Sequence, residues 1–193
     1  MKKIIVSSAL LILLNTTAGF AEIQTPEQAE VTLEKANKIL AEDSEKYGLF
    51  NAKVAEDLKA VSDALFSMNK LDESIEYALR ALKVEMKLRK ENDPVLAKLY
   101  FDTGRKYYKH KQHPTAMLYL EKAAKIYGAA FGAESLELAD TYEAIASIYI
   151  NLKDNAKALD FAQKCLDIRK KKLKEGDEAI KRAEMNVEYL KGT

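Results

Sequence analysis

Three side chains in one short segment have the types and the spacing of a protein-binding surface. Phe101, Arg105 and Tyr108 stand at positions i, i+4 and i+7, which share one face of an α-helix. Aromatic and arginine side chains carry much of the binding energy in protein interfaces. Lys98 and Lys109 extend this patch, which favours an acidic partner. The alternative interpretation is that Phe101 and Tyr108 pack against a neighbouring part of the chain.

Catalytic and metal-binding patterns are weak by comparison. His110 and His113 are the two histidines, and they flank a predicted turn before Pro114, so we expect solvated turn residues and not metal ligands. There is no glycine-rich phosphate loop, HExxH pair or nucleophile elbow in the sequence. Cys165, the one cysteine, falls in a column of small residues, which favours a buried thiol over an intermolecular disulfide. The sequence predicts a non-enzymatic protein with no catalytic, metal or cofactor site.

The chain that positions these residues repeats itself about every 42 residues, a period typical of stacked repeats. Large and small residues recur in fixed columns, among them Ala55/Ala97/Ala139, Leu58/Tyr100/Tyr142, Ser62/Gly104/Ala146, Leu65/Tyr107/Tyr149, Ser74/Ala116/Ala158 and Ala81/Ala123/Cys165. Within each repeat the apolar residues follow helical spacing in two stretches separated by turn residues, so each repeat is predicted to be a pair of helices. Such units stack, because one unit alone cannot bury its apolar face. We expect an all-α solenoid.

The repeat boundaries follow from these columns and from the turn residues between them. Three repeats are predicted at residues 51–92, 93–134 and 135–176. Residues 22–50 contain one helix similar to the second helix of a repeat, and residues 177–193 form one capping helix similar to a first helix. Atypical terminal units are what a solenoid requires, because its ends must present a polar outer face.

The columns resemble the tetratricopeptide repeat (TPR), in the 42-residue form of the kinesin light chain type. The resemblance covers about residues 51–176 and is strongest at Tyr100/Tyr142, Gly104/Ala146, Tyr107/Tyr149 and Ala116/Ala158. It implies a right-handed superhelix in which the first helices line a concave groove and the second helices form the convex back. Carried over column by column, it implies a partner-binding groove that includes Lys59, Phe66, Lys98, Phe101, Arg105, Tyr108, Lys109, Ile150 and Asn151.

Two specificities of this family are not expected here. Kinesin light chain repeats carry an asparagine that binds a peptide backbone, in the column that here holds Ala60, Asp102 and Ala144. Asn186, in the last predicted helix, is the one position that restores it. The lysine and asparagine set that clamps a C-terminal carboxylate in chaperone-binding relatives is not reproduced. The resemblance therefore implies a general peptide groove.

Residues 1–21 have the pattern of a secretory signal peptide. Lys2 and Lys3 precede an apolar stretch at residues 4–14, and small residues precede the cleavage expected after Ala21. The apolar stretch is too short to span roughly 30 Å of hydrocarbon, so no transmembrane segment is expected in the mature chain. Cleavage changes the net charge from +1 to −1, which gives no general attraction to nucleic acid. A periplasmic location is predicted, with secretion as the alternative.

These features together predict a function in binding. We expect an exported bacterial scaffold that holds a peptide or a helix of a protein partner in its groove, with a preference for acidic partners. One alternative is a self-assembling structural protein of the envelope, in which the unpaired end helices stack on another copy. The other alternative is an accessory subunit of an envelope enzyme.

Overall fold

The computed structural model describes residues 26–192, and in this range the chain forms eight α-helices. They are α1 (Pro26–Tyr47), α2 (Ala52–Ser67), α3 (Leu71–Leu88), α4 (Pro94–Lys109), α5 (His113–Phe131), α6 (Leu136–Asn151), α7 (Asn155–Lys172) and α8 (Glu178–Lys191). Within this range no helix combines the length and the apolar character that crossing a membrane would require. The predicted signal peptide at residues 1–21 lies outside the described residues.

The first helix of each repeat begins at a capping side chain, and the three caps occupy one column of the repeat. Asn51, Asp93 and Ser135 each accept a hydrogen bond from a backbone N–H in the first turn of α2, α4 and α6, at 2.8, 2.8 and 3.2 Å. Asp177 caps α8 in the same way, at 2.8 Å. A cap satisfies an N–H group that the helix cannot pair internally, and it stabilises the helix by about 1 kcal/mol.

A sharp turn separates the two helices within each repeat. Asn69, Lys111 and Lys153 have left-handed backbones, with φ of 58°, 61° and 59°. The residue after each of them donates its N–H to the carbonyl oxygen five residues earlier, at 2.9, 3.0 and 3.0 Å. This is the hydrogen bonding of a helix-terminating Schellman turn. The turn folds the second helix back onto the first.

Each helix packs against its neighbours along the chain, most extensively within the pairs α2–α3, α4–α5 and α6–α7. In addition α4 contacts α6, so the first helices of adjacent repeats lie side by side. The result confirms the predicted all-α solenoid of stacked helix pairs.

The small-residue columns mark where the two helices of a repeat approach each other. In the first repeat the hydroxyl of Ser62 donates to the carbonyl of Ser74 at 2.6 Å, and the hydroxyl of Ser74 donates back to the carbonyl of Ser62 at 2.8 Å. In the second repeat a Cβ on Gly104 would lie 2.9 Å from Cγ of Leu120 and 3.2 Å from the carbonyl oxygen of Ala116. The close contact between α4 and α5 at position 104 therefore leaves room only for glycine.

The outer face of α8 is charged where the interior repeats are small or aromatic. Glu184, Glu188 and Lys191 occupy the columns that hold Tyr142, Ala146 and Tyr149 in the third repeat. A following helix would have to bury these charges, and their desolvation is costly even though Glu184 pairs with Lys170 and Glu188 pairs with Lys191. This face gives the solenoid a polar end.

Candidate partner-binding site

The exposed sides of α2, α4, α6 and α8 form one continuous surface, which we call the groove face. Side-chain contacts between residues 43 positions apart join α2 to α4 and α4 to α6. The ammonium of Lys106 on α4 donates to Oδ1 of Asp63 on α2 at 2.7 Å. The amide of Asn151 on α6 donates to the hydroxyl of Tyr108 on α4 at 2.7 Å. The predicted residues of the three repeats therefore belong to a single surface.

In the first repeat, the predicted residues Lys59 and Phe66 lie around a shared carboxylate. Asp63 accepts from Lys59 at 2.6 Å and from Lys106, which is only 4% exposed. The Lys106 ammonium also lies 5.0 Å from the ring centre of Phe66, which is half-buried. Burial acts to raise the pKa of Asp63, but Lys106 and Lys59 together hold it below its ordinary value of 3.8. This end of the groove face is a closed ion-pair network.

In the second repeat, basic side chains surround the ring of Phe101. The Lys98 ammonium lies 5.3 Å and the Arg105 guanidinium 5.7 Å from the ring centre, within the range of cation–π attraction. Lys98 is also held by Asp102 at 2.8 Å. Arg105 is exposed and has no acidic partner in the described part of the chain. Its guanidinium is positioned over the ring but is free to bind a carboxylate.

The aromatic residues of this patch both pack and face outward. Phe101 and Tyr108 are half-buried and contact the core cluster that contains Ile145 and Ile148 of α6. The ring of Tyr108 also lies 5.7 Å from the ring of His113. Phe101 and Tyr108 therefore pack against the neighbouring repeat, as the alternative interpretation expects, while part of each ring remains accessible.

The other predicted groove residues differ in their surroundings. Lys109 is exposed and has no ion pair among the described residues. Asn151 is exposed and donates both to Tyr108 and to the carbonyl of Ser147, at 2.7 and 2.9 Å. Ile150 is 38% exposed and lines a cleft between α6, α7 and α8. All nine predicted residues thus lie on or beside the groove face, but Lys59, Lys98 and Asn151 are already engaged within the chain.

Sequence reasoning missed the part that Arg169 takes in the electrostatics of the site. Arg169 is 3% exposed and donates to Oδ1 of Asp140 at 2.7 Å and to Oε2 of Glu143 at 2.8 Å. Burial opposes its charge, yet the hydrogen bonds to Glu143 and Asp140 raise its pKa overall. In the sequence it is the first residue of a basic run at the end of a helix, a pattern that indicates only a favourable interaction with the helix dipole.

Two exposed apolar residues of α8 were also missed. Met185 is 71% exposed and Tyr189 is 65% exposed. The columns of the repeat contain the signal that could have found them. Met185 falls in the column of Phe101, and Tyr189 falls in the column of Arg105. The groove face therefore continues onto the terminal helix.

The groove face has an excess of free positive charge. Five of its carboxylates on α2, α4 and α6 have basic partners, and they are Glu56, Asp63, Asp102, Asp140 and Glu143. In contrast, Arg105, Lys109 and Arg182 form no ion pair with any residue in the range 26–192. These three cations are available for charge-assisted hydrogen bonds to the carboxylates of a partner.

Metal-binding and nucleophilic groups do not gather on this surface. Within residues 26–192 there is no cluster of three or more His, Cys, Asp or Glu side chains that could hold a metal ion. His110 instead lies with Nε2 2.9 Å from Oδ1 of Asp72. Cys165 is buried and unpaired, as predicted, and burial raises the pKa of its thiol to about 12. The thiol is therefore protonated and a poor nucleophile at neutral pH.

Comparisons with known proteins agree with the geometry. A family model described as "Tetratricopeptide repeat" matches residues 139–172, which span most of α6 and all of α7. No curated protein sequence matches this chain. Three solved structures that match are 13% to 15% identical to this chain, so they show the fold alone.

Among those structures is a Podosopora anserina protein with kinesin light chain nearly identical TPR-like repeats. It has 13% identity and a TM-score of 0.75, and the alignment covers 86% of this chain and 79% of that one. A single-site variant of the same protein gives a TM-score of 0.76 at 13% identity, with 86% and 78% covered. BtubC (BKLC) from P. vanneervenii has 15% identity and a TM-score of 0.68, with 90% and 84% covered. The chain thus has the fold of a TPR-like solenoid and is similar to kinesin light chain-like TPR proteins.

Proposed function

We propose that this protein is a non-enzymatic scaffold of the bacterial cell envelope that binds a peptide or a helix of a partner protein on its groove face. TPR-like solenoids generally serve as protein-interaction scaffolds. The observation that carries the proposal is that Arg105 is exposed and unpaired within residues 26–192. It is an exposed guanidinium with no acidic partner in the described chain, held over the half-buried ring of Phe101 and within two turns of Tyr108.

The proposed mechanism is preorganisation. The contacts that join α2 to α4 and α4 to α6 fix the side chains of the groove face before a partner arrives. Phe101 and Tyr108 are already held by the core on one side, so they lose little rotamer freedom on binding. A partner carboxylate at Arg105 would form a bidentate, charge-assisted hydrogen bond over an aromatic surface that excludes water. This is the combination that produces a binding hot spot.

The envelope location rests on the signal-peptide pattern of residues 1–21, with a basic start, a short apolar stretch and small residues before Ala21. We place the mature protein in the periplasm, with secretion as the alternative. The non-enzymatic assignment is supported by the protonated Cys165 thiol and by the ion pairs of the groove-face carboxylates Asp63, Asp140 and Glu143.

The proposal is tested by affinity capture from an envelope extract of the source bacterium, followed by mass spectrometry. The bait is the mature protein, its Arg105→Glu variant or its Arg80→Glu variant. Arg80 is a matched control, because it is an exposed arginine of α3 that lies 4.7 Å from the ring of Tyr77. We expect a dominant partner whose affinity falls by about 30-fold with Arg105→Glu, the effect of losing one hot spot. Equal capture by both variants would contradict binding on the groove face.

A further inference from the structure

The first described helix, α1, is held by fewer neighbours than the second helices of the repeats. It packs mainly on α2, whereas α3, α5 and α7 each pack between two neighbouring helices. Its side of this contact includes Ala36 and Leu40, which are buried in the core cluster that also contains Val54 and Val61 of α2. A helix with one main partner opens locally at a lower free energy than helices packed on both sides. The interface with α2 therefore sets how firmly α1 is held.

A carboxyl group is buried at this interface. Asp57 of α2 is only 5% exposed. In the other two repeats its column holds the uncharged residues Leu99 and Thr141, which are also buried. Burial of a carboxylate disfavours its ionised form unless hydrogen bonds and opposite charges compensate for the lost water. Asp57 therefore brings a titratable group to a position where the repeat otherwise has none.

The groups of α2 and α3 compensate Asp57 only in part. Its Oδ1 accepts from Lys53 at 3.4 Å, but Lys53 is half exposed and also pairs with Glu56 at 3.6 Å. The charged residues of α3 on this side, Glu85 and Arg89, pair with each other. Oδ2 of Asp57 is buried and has no N–H or hydroxyl donor among the described residues.

The group that α1 presents to Asp57 is a second carboxyl. Asp43 of α1 forms a hydrogen bond with Asp57 across the interface, and such a bond needs a proton on one of the two carboxyls. Burial is the largest effect on Asp57, and burial and Asp43 together raise its pKa above the ordinary 3.8, although Lys53 opposes the shift. The proton is therefore retained to a higher pH when α1 is docked than when it is open.

We propose that Asp43 and Asp57 form a pH-sensitive clasp, which holds α1 firmly on α2 in acid and less firmly at neutral pH. With one proton bound, the two carboxyls join the helices by a hydrogen bond. When that proton leaves to solvent, two negative charges face each other at the interface, and their repulsion and burial favour opening. The stabilisation of docked α1 is complete below pH 3.8 and is lost as the pH rises through the raised pKa of Asp57. Opening of α1 uncovers the apolar surface of α2 around Val54 and Val61.

The test is hydrogen exchange of the mature protein at about pH 4 and about pH 7, measured by mass spectrometry in α1 and, as an internal reference, in α5. After correction for intrinsic exchange rates, the protection of α1 relative to α5 should be about fivefold higher at the lower pH. Asp57→Asn and Asp43→Asn each replace a carboxyl by an amide of similar size, and each should abolish this difference. Asp160→Asn is the matched control, because Asp160 also pairs with a lysine four residues away but lies on α7, and it should leave the difference unchanged.

Either of two results would overturn the inference. One is equal relative protection of α1 at both pH values in the natural protein. The other is a pH difference that persists in Asp57→Asn or in Asp43→Asn, since a group outside the pair would then be responsible. Because Asp43 is only half-buried, Asp43→Asn keeps the test available if Asp57→Asn disturbs the core. The measurement needs no partner, so its outcome is independent of the function proposed above.

Discussion

Gly104 offers a sharp test of how the helices of a repeat are packed. An alanine at this position gains about 1 kcal/mol of helix propensity over glycine. Its Cβ, however, would lie 2.9 Å from Cγ of Leu120, which is fully buried, and 3.2 Å from the backbone oxygen of Ala116. Overpacking of a core costs about 1–3 kcal/mol, and the involvement of backbone points to the upper end. We expect Gly104→Ala to destabilise the protein by about 2 kcal/mol.

The residue that faces Gly104 extends the prediction to a double mutant. Leu120→Ala alone should cost about 3 kcal/mol through lost burial and the cavity it leaves. In the double variant the added Cβ fills part of that cavity, and the third repeat already combines Ala146 with Ala162 in these two columns. The double variant should therefore be destabilised by about 2 kcal/mol, although the two single effects sum to about 5 kcal/mol.

The assay is urea unfolding of the four proteins, followed by far-UV circular dichroism. The free energies of unfolding give the coupling between the two positions directly. A Gly104→Ala variant as stable as the natural protein would refute the close approach of α4 and α5. Additive effects in the double variant would refute the direct contact between these two residues.

Three further predictions concern charges. Asp57→Asn should stabilise the protein by about 1 kcal/mol at neutral pH, because burial and a hydrogen bond to Asp43 raise the pKa of Asp57 above its ordinary 3.8 and so disfavour its charged form in the folded state. Thermal melts should show that this gain in stability shrinks as the pH falls towards 3.8. A gain that instead grows as the pH falls would contradict the prediction. Arg169→Met should lower the free energy of unfolding, measured with urea, by about 2 kcal/mol. This is less than the roughly 3–5 kcal/mol expected for a fully buried pair, because Asp140 and Glu143 are 57% and 31% exposed and can regain water. Unchanged stability would contradict a structural function of this ion pair. The triple variant Glu184→Tyr, Glu188→Ala and Lys191→Tyr gives the outer face of α8 the residues of the third repeat, and light scattering should show that it self-associates. A variant that stays monomeric would contradict the idea that these charges prevent stacking.

The fold could be predicted from the sequence because its determinants are local and periodic. Each helix pair is fixed by an apolar stripe, a capping residue such as Asn51 or Asp93, and a small residue such as Gly104 where the helices approach. All of these signals recur from one repeat to the next, so each repeat supports the interpretation of the others. Stacking then needs no pairing between distant parts of the chain.

The details of the site could not be predicted because they depend on contacts between different helices. Arg169 is buried against Asp140 and Glu143, which precede it by 29 and 26 residues. Column analysis alone shows neither that Lys106 covers Phe66 nor that Asp63 is shared by two lysines. Helical spacing gives the direction of a side chain, but its exposed fraction depends on the length of the neighbouring side chains. For this reason the sequence alone does not show that Phe101 and Tyr108 are partly buried.

The central claim is that a partner binds on the groove face, and site-specific photo-crosslinking in the native host tests it most directly. A photoreactive residue is placed at Lys109 on the groove face or at Lys125 on α5, both exposed lysines without an ion pair in the described chain. We predict one dominant protein adduct from position 109, absent from position 125 and lost when Arg105→Glu is added. The same adducts from both positions, or adducts only with a second copy of this chain, would contradict a dedicated partner on the groove face.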